Sequence, residues 1–264
     1  MSSDLSTNTK TKDKGNNELI EKRRRKKKIR RGILLIIMLL SISITLCLKL
    51  SYFNIKNIEI VNNRNIPSEE IIKLSNINKG KNIFYLNLNK SKTNILTNSY
   101  ILNVEIKRKL PNTINISVEE RTAIFYIKKE DKYLIVGKDG IVLEEKQQIN
   151  NMKLIKLEGF DKDSYKVGQI INDKDGRKTQ LIGEITDLIK SLKDGIPEPS
   201  IVNIEDATDI KIFYGNMMIK LGTSSNLKEK YNKAINVMMH NGLQSKKGYI
   251  DVSYKGDPVF LVNN

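Results

Sequence analysis

Residues able to do chemistry are scarce in this sequence. Its 264 residues hold one cysteine, Cys47, and one histidine, His240. A Cys/His zinc site, an intramolecular disulfide, a c-type haem and a Cys–His nucleophile pair each need more soft ligands than that, so composition argues against all four. Cys47 falls inside a long uncharged run. His240 closes an amphipathic pattern beside Asn241-Gly242, where an imidazole reads as a surface or C-cap group rather than a base. No G-x-S-x-G, H-E-x-x-H, P-loop or S-x-x-K-with-K-T-G pattern occurs. The carboxylate pairs Glu119-Glu120 and Glu144-Glu145 are adjacent, and neighbours on a strand point to opposite faces, so neither pair forms a shared acid/base site. A Ser–Lys dyad stays open, because such pairs are spatial and both residues abound. The expectation is a protein without catalytic activity, cofactor or metal.

Charge is more informative. The net charge is +16, and residues 1–31 hold 12 Lys or Arg against 4 Asp or Glu. Gly32 to Leu48 (GILLIIMLLSISITLCL) then runs 17 residues without a charge. As a helix at about 1.5 Å per residue this nearly crosses a ~30 Å hydrocarbon core, and Leu50, Tyr52 and Phe53 extend its far end. One transmembrane helix is expected over 32–52. Lys and Arg beside a span remain cytoplasmic, so Arg23, Arg24, Arg25, Lys26, Lys27, Lys28, Arg30 and Arg31 put a basic, disordered tail (1–31) inside and the chain from about residue 53 outside. A cleaved signal peptide lacks its small-residue site at Leu46-Cys47-Leu48, and a lipoprotein would need a small residue where Leu46 stands. The polybasic run reads as a topology signal drawn to anionic lipid rather than as a nucleic-acid tail.

Beyond the span the pattern is β-α-α-β-β over 53–120. A strand is expected around Ile58 and Ile60, a helix after Pro67 with Ser68 as N-cap, and a second helix near 89–99. Two alternating runs follow, Leu102-Val104-Ile106 and Ile114-Ile116-Val118, joined by a turn in which Pro111 presets φ and Asn112 tolerates left-handed geometry. From residue 121 the chain reads as short strands. Asp139-Gly140 signals a type I′ hairpin, and strands are expected near 201–204, 210–214, 218–221, 249–254 and 259–262. Two helices carry apolar stripes, Leu181, Ile185, Leu188, Ile189 and Leu192 on one and Leu227, Tyr231, Ala234, Ile235 and Met238 on the other. The second is capped by Asn226 and Glu229 and stopped by Asn241-Gly242. The fold class is α+β: a small module, then a second module (121–264) with a mostly antiparallel sheet.

The segment Arg108-Lys109-Leu110-Pro111-Asn112-Thr113, followed by Ile114 to Val118 and Glu119-Glu120-Arg121, resembles the signature of the FtsQ/DivIB cell-division family. The order of parts resembles that family along nearly the whole chain, with Lys138-Asp139-Gly140, Leu221-Gly222 and Gly248-Tyr249-Ile250-Asp251-Val252 in the second module. The resemblance implies a POTRA domain at 53–120 and a β domain after it. It also implies a non-enzymatic divisome protein, enriched at the septum, that binds the outer segments of small single-span partners of the FtsL and FtsB/DivIC types through its last strands. Carried onto this sequence, the partner-binding residues are Tyr249, Asp251, Val252 and Tyr254, with Pro258 and Val259 beside them. Arg108, Leu110, Pro111, Asn112, Thr113, Glu119 and Arg121 are the signature and inter-module residues. A membrane-anchored POTRA protein of envelope transport and a cell-wall-remodelling enzyme are the alternatives.

Overall fold

The structure, a computed structural model, describes residues 7–160, 165–171, 176–192 and 195–263, with the backbone alone for 7–21. The first six residues of the expected tail lie outside the described residues. From Thr7 the structure differs from that expectation, because one helix, α1 (Thr7–Lys49), runs through the basic block and the apolar run alike. Lys, Arg and Glu are good helix formers, and lengthening an existing helix is far easier than nucleating one. The apolar part is long enough to cross a membrane, and the helix stops at Lys49, three residues short of the expected 52.

Among the described residues the chain divides into two compact units. One comprises residues up to 59 with 77–88 and 107–115; the other comprises 60–76, 89–106 and 116 onward.

In the first unit α1 is followed by a single 3-10 turn, Ser51–Phe53. Ile55 is buried, and its backbone N–H donates to the Lys81 carbonyl while its own carbonyl accepts from Gly80. A second 3-10 turn, Ile83–Tyr85, begins at Asn82, whose side chain accepts from the Phe84 N–H. The expected turn is present at 110–112, but with a cis Leu110–Pro111 peptide and without left-handed φ at Asn112. The Asn112 carbonyl instead accepts from the Lys56 and Asn57 N–H groups.

The β-α-α-β-β order is present as β1 (Asn57–Val61), α2 (Ser68–Ser75), α3 (Leu88–Ile95), β2 (Ile101–Lys109) and β3 (Thr113–Glu120), with strand order β1-β3-β2. Ser68 is the first residue of α2 rather than its N-cap. Pro67 holds that position, where its fixed φ starts the helix without a side-chain bond.

The rest of the second unit holds β4 (Ala123–Lys129), β5 (Lys132–Gly137), β6 (Val142–Lys146), β7 (Ile155–Glu158), α4 (Arg177–Lys190), β8 (Ile201–Asn203), β9 (Ile210–Tyr214), β10 (Met217–Gly222), α5 (Leu227–His240), β11 (Lys247–Asp251) and β12 (Val259–Asn263). They form a nine-stranded mixed sheet ordered β12-β11-β10-β9-β8-β7-β4-β5-β6, in which the β10/β11, β4/β7 and β7/β8 pairs are parallel. The alternation of β9 and β10 sends Ile210, Ile212, Tyr214, Met217, Ile219 and Leu221 into one core with Leu181, Ile182 and Ile185 of α4 and all five stripe residues of α5. Burying each such aliphatic side chain contributes about 1.5–3 kcal/mol before entropy is charged against it.

Two local expectations change. The Asp139-Gly140 hairpin is not type I′: only Gly140 has positive φ (73°), so the turn is a type I turn closed by a left-handed glycine. Asn226 is itself left-handed (φ 54°) and makes no side-chain cap bond, so the capping box is absent. The stop is as expected, with Gly242 left-handed and Leu243 N–H donating to the Met238 carbonyl at 2.8 Å.

Candidate partner-binding edge

The expected partner-binding residues fall into two groups. Tyr249 and Asp251 lie on β11, which is paired on both sides, parallel to β10 and antiparallel to β12. Their backbones are therefore already used. The strand ends at Asp251 rather than at Tyr254, and the Asp251 Oδ1 accepts from the Ser253 N–H (3.0 Å) and hydroxyl (2.7 Å), turning the chain away. Val252 is buried in the core, 5% exposed. Tyr254 is exposed, its hydroxyl donating to the Asp257 carbonyl at 3.1 Å, and Pro258 is half-buried at the entrance to β12.

The sheet ends in β6 on one side, where 141–142 are bridged by 168–170, and on the other in β12, beginning at Val259, which has no outer neighbour among the described residues and is the free edge. Val259, Phe260 and Leu261 are 51%, 45% and 49% exposed. Three consecutive apolar residues on an unpaired edge are what soluble sheets ordinarily avoid, since alternate residues there present backbone N–H and C=O groups to any incoming strand. Phe260 and Leu261 were missed in the sequence. The run 259–262 read as a strand, but nothing in it says that this strand is last in the sheet.

A second feature adjoins the edge. On the sheet face away from α4 and α5, cross-strand neighbours line up as Ile201, Phe213, Met218, Tyr249 and Leu261. Directly paired residues share a face, and these five are all partly exposed. The next row on that face is Asn203, Lys211, Lys220, Asp251 and Val259. The Lys220 ammonium lies 4.2 Å from the Tyr249 ring centroid, a cation–π contact that steadies the ring. An apolar lane with a polar border thus runs from the sheet centre to its free edge. Edge and lane together can take an extended segment by backbone bonds and hold its side chains by apolar contact.

The signature residues do structural work. Arg108 donates from Nε to the Ile83 carbonyl (2.9 Å) and from Nη2 to the Leu86 carbonyl (2.6 Å). Leu110 is exposed and Thr113 buried. Arg121 forms an ion pair with Asp139 (2.6 Å) while its Nη1 donates to the Ser99 and Ile101 carbonyls. Nearby, the Ser99 hydroxyl donates to the Leu143 carbonyl and the Tyr100 hydroxyl to Glu144. Burial first, then the bond to Glu144 and its charge, push the Tyr100 phenol well above its ordinary range. Glu119 is exposed, and its neighbour Glu120 makes the contacts, accepting from the backbone N–H groups of Arg64, Asn65 and Ile66. Burial would raise the Glu120 carboxyl, but these donors outweigh it and hold the group below its ordinary value. Arg23, Arg24, Arg25, Lys26, Lys27, Lys28, Arg30 and Arg31 are all exposed along α1, His240 is exposed at the end of α5, and Cys47 lies in the last turn of α1. Among the described residues no group of three His, Cys, Asp or Glu is placed to hold a metal.

A family model for the FtsQ-type POTRA domain matches residues 53–121. Over most of its length the chain is similar to proteins named cell division protein DivIB. With that of Clostridium acetobutylicum it shares 44% identity over 247 residues, covering 94% of this chain and 98% of the relative. This chain belongs to the DivIB cell-division protein family. The DivIB of Clostridium tetani is 42% identical over 248 residues, 93% of each chain, and that of Clostridium botulinum (strain Hall) 42% over 225 residues, 85% of this chain and 88% of the relative. The protein is accordingly a DivIB-type membrane protein of cell division, with an N-terminal apolar helix and an FtsQ-type POTRA domain.

Proposed function

We propose that this protein is a non-enzymatic scaffold of the division septum, with its N-terminus cytoplasmic and its β domain (121–264) outside. In this reading, β12 and the adjoining lane capture the outer segments of small single-span division proteins of the FtsL and FtsB/DivIC types. The observation that carries it is the free β12 edge with Val259, Phe260 and Leu261 half exposed. An edge so apolar is an aggregation liability unless a partner covers it. Tyr249, Tyr254 and Pro258 flank that edge, while Val252 supports it from the core.

The test is co-purification of the full-length chain with FtsL-type and FtsB/DivIC-type partners, beside a chain ending at Pro258. Loss of capture with membrane insertion intact is expected, and normal capture by the folded shorter chain would defeat the edge-strand reading. A tag at the cytoplasmic end should enrich at the septum of dividing cells; an even membrane distribution in a complementing strain would defeat the septal role.

A further inference from the structure

The point at which α1 ends fixes the depth of a loop of its own unit. Asn82 is 8% exposed, and its side-chain amide donates to the carbonyls of Cys47 (2.9 Å) and Leu48 (3.1 Å). Those carbonyls close the apolar run, where helix groups have no partner further along the helix. Segment 82–86 is therefore held at the level where α1 leaves hydrocarbon. The loop is braced as well: the Phe84 ring packs on Phe53 at 5.4 Å, Phe53 meets Tyr52 edge-on at 5.3 Å, and Arg108 bonds the Ile83 and Leu86 carbonyls.

What this rigid loop and its neighbours present outward is unusual for a surface in water. Tyr85 is 68% exposed, Tyr52 60%, Leu110 57% and Leu50 46%. Around them, residues 49–59, 77–88 and 107–115 contain seven Lys or Arg and a single acidic residue, Glu59. Amphipathic rings with long cationic side chains are the composition that settles at lipid headgroups, the rings at the carbonyl level and the amines at the phosphates.

We propose that Leu50, Tyr52, Tyr85 and Leu110 form a seat in the headgroup layer of the leaflet from which α1 emerges, with an anionic bilayer as the partner surface. The inference rests on the reading of α1 as a membrane span. The membrane-proximal unit is then held at two places, by the span and by the seat, and cannot swivel freely on the helix.

The sequence contains no tryptophan, so single Trp reporters are unambiguous. The full chain carrying Tyr85→Trp, Leu40→Trp or Tyr254→Trp would be reconstituted in phosphatidylglycerol/phosphatidylcholine vesicles with lipids brominated at shallow or deep acyl positions. Leu40→Trp should be quenched by deep bromines, which establishes insertion. Tyr85→Trp should show blue-shifted emission and lose most of its intensity to shallow bromines, while Tyr254→Trp stays red-shifted and unquenched. An unquenched Tyr85→Trp beside a quenched Leu40→Trp would overturn the seat alone, and a blue shift without quenching would do the same by showing protein burial. An unquenched Leu40→Trp would overturn the span and the seat together.

Discussion

Glu120 and Arg121 are neighbours with separate tasks, and each makes a testable claim. The Glu120 carboxylate gathers the N–H groups of Arg64, Asn65 and Ile66, so its folded-state pKa lies below the ordinary 4.5. As pH falls, the unfolded chain takes up the proton first. The stabilisation is therefore complete at neutral pH, declines below pH 4.5 and disappears once the folded carboxyl is protonated. Glu120→Gln is expected to lower the unfolding midpoint at pH 7, with the gap to the parent protein closing below pH 4.5 in a circular-dichroism series. Arg121 combines an ion pair to Asp139 with two carbonyl contacts, and its side chain is 18% exposed. Arg121→Ala should cost about 2–3 kcal/mol in denaturant unfolding, since it orphans carbonyls and a carboxylate together. Arg121→Lys should recover only part of it, because an ammonium cannot span the same fork.

At the scale of elements, the edge depends on one glycine. A Cβ on Gly248 would stand 2.0 Å from the Leu261 carbonyl oxygen, with φ at 158°. β12 can lie against β11 only because position 248 has no side chain. Gly248→Ala is expected to push β12 off the sheet and reduce partner capture to the level of the chain ending at Pro258. The core strands should be spared, so the main thermal transition should move little. Full capture together with an unchanged edge in amide hydrogen exchange would show that β12 tolerates the methyl group. The helices are buffered differently: α5 buries Leu227, Tyr231, Ala234, Ile235 and Met238 on one stripe, so it holds its place by packing even without the cap bond that its sequence suggested.

For the whole molecule, the asymmetry of charge along the chain is the main lever. The basic residues of 22–31 lie on the same helix as the apolar run, all of them exposed. Neutralising Lys22 to Arg31 removes the charge excess that orients a single span, so a substantial fraction of chains should invert. Protease added to intact spheroplasts would then cleave less of the C-terminal domain than in the parent protein. Unchanged cleavage would assign orientation to some other feature.

The sequence by itself determined the parts whose signal is local. The uncharged run Gly32 to Leu48, the period-two strands around Ile106 and Ile116, the apolar stripe of α5 and the Arg108 to Arg121 signature can each be read within one short stretch of chain, because periodicity and charge act over that range. Where local signals compete, it misled. Asn226 and Ser68 have capping side chains, but the backbone at each turn takes another route, and helix propagation carried α1 back to Thr7. Tertiary structure alone decided the order of strands. That order puts β12 at one end of the sheet, pairs Tyr249 on both sides, and aligns Ile201, Phe213, Met218, Tyr249 and Leu261 from five strands into one lane. Sheet pairing is a contest between whole strands for backbone partners, and its outcome depends on every strand at once, so no single segment records which strands end the sheet.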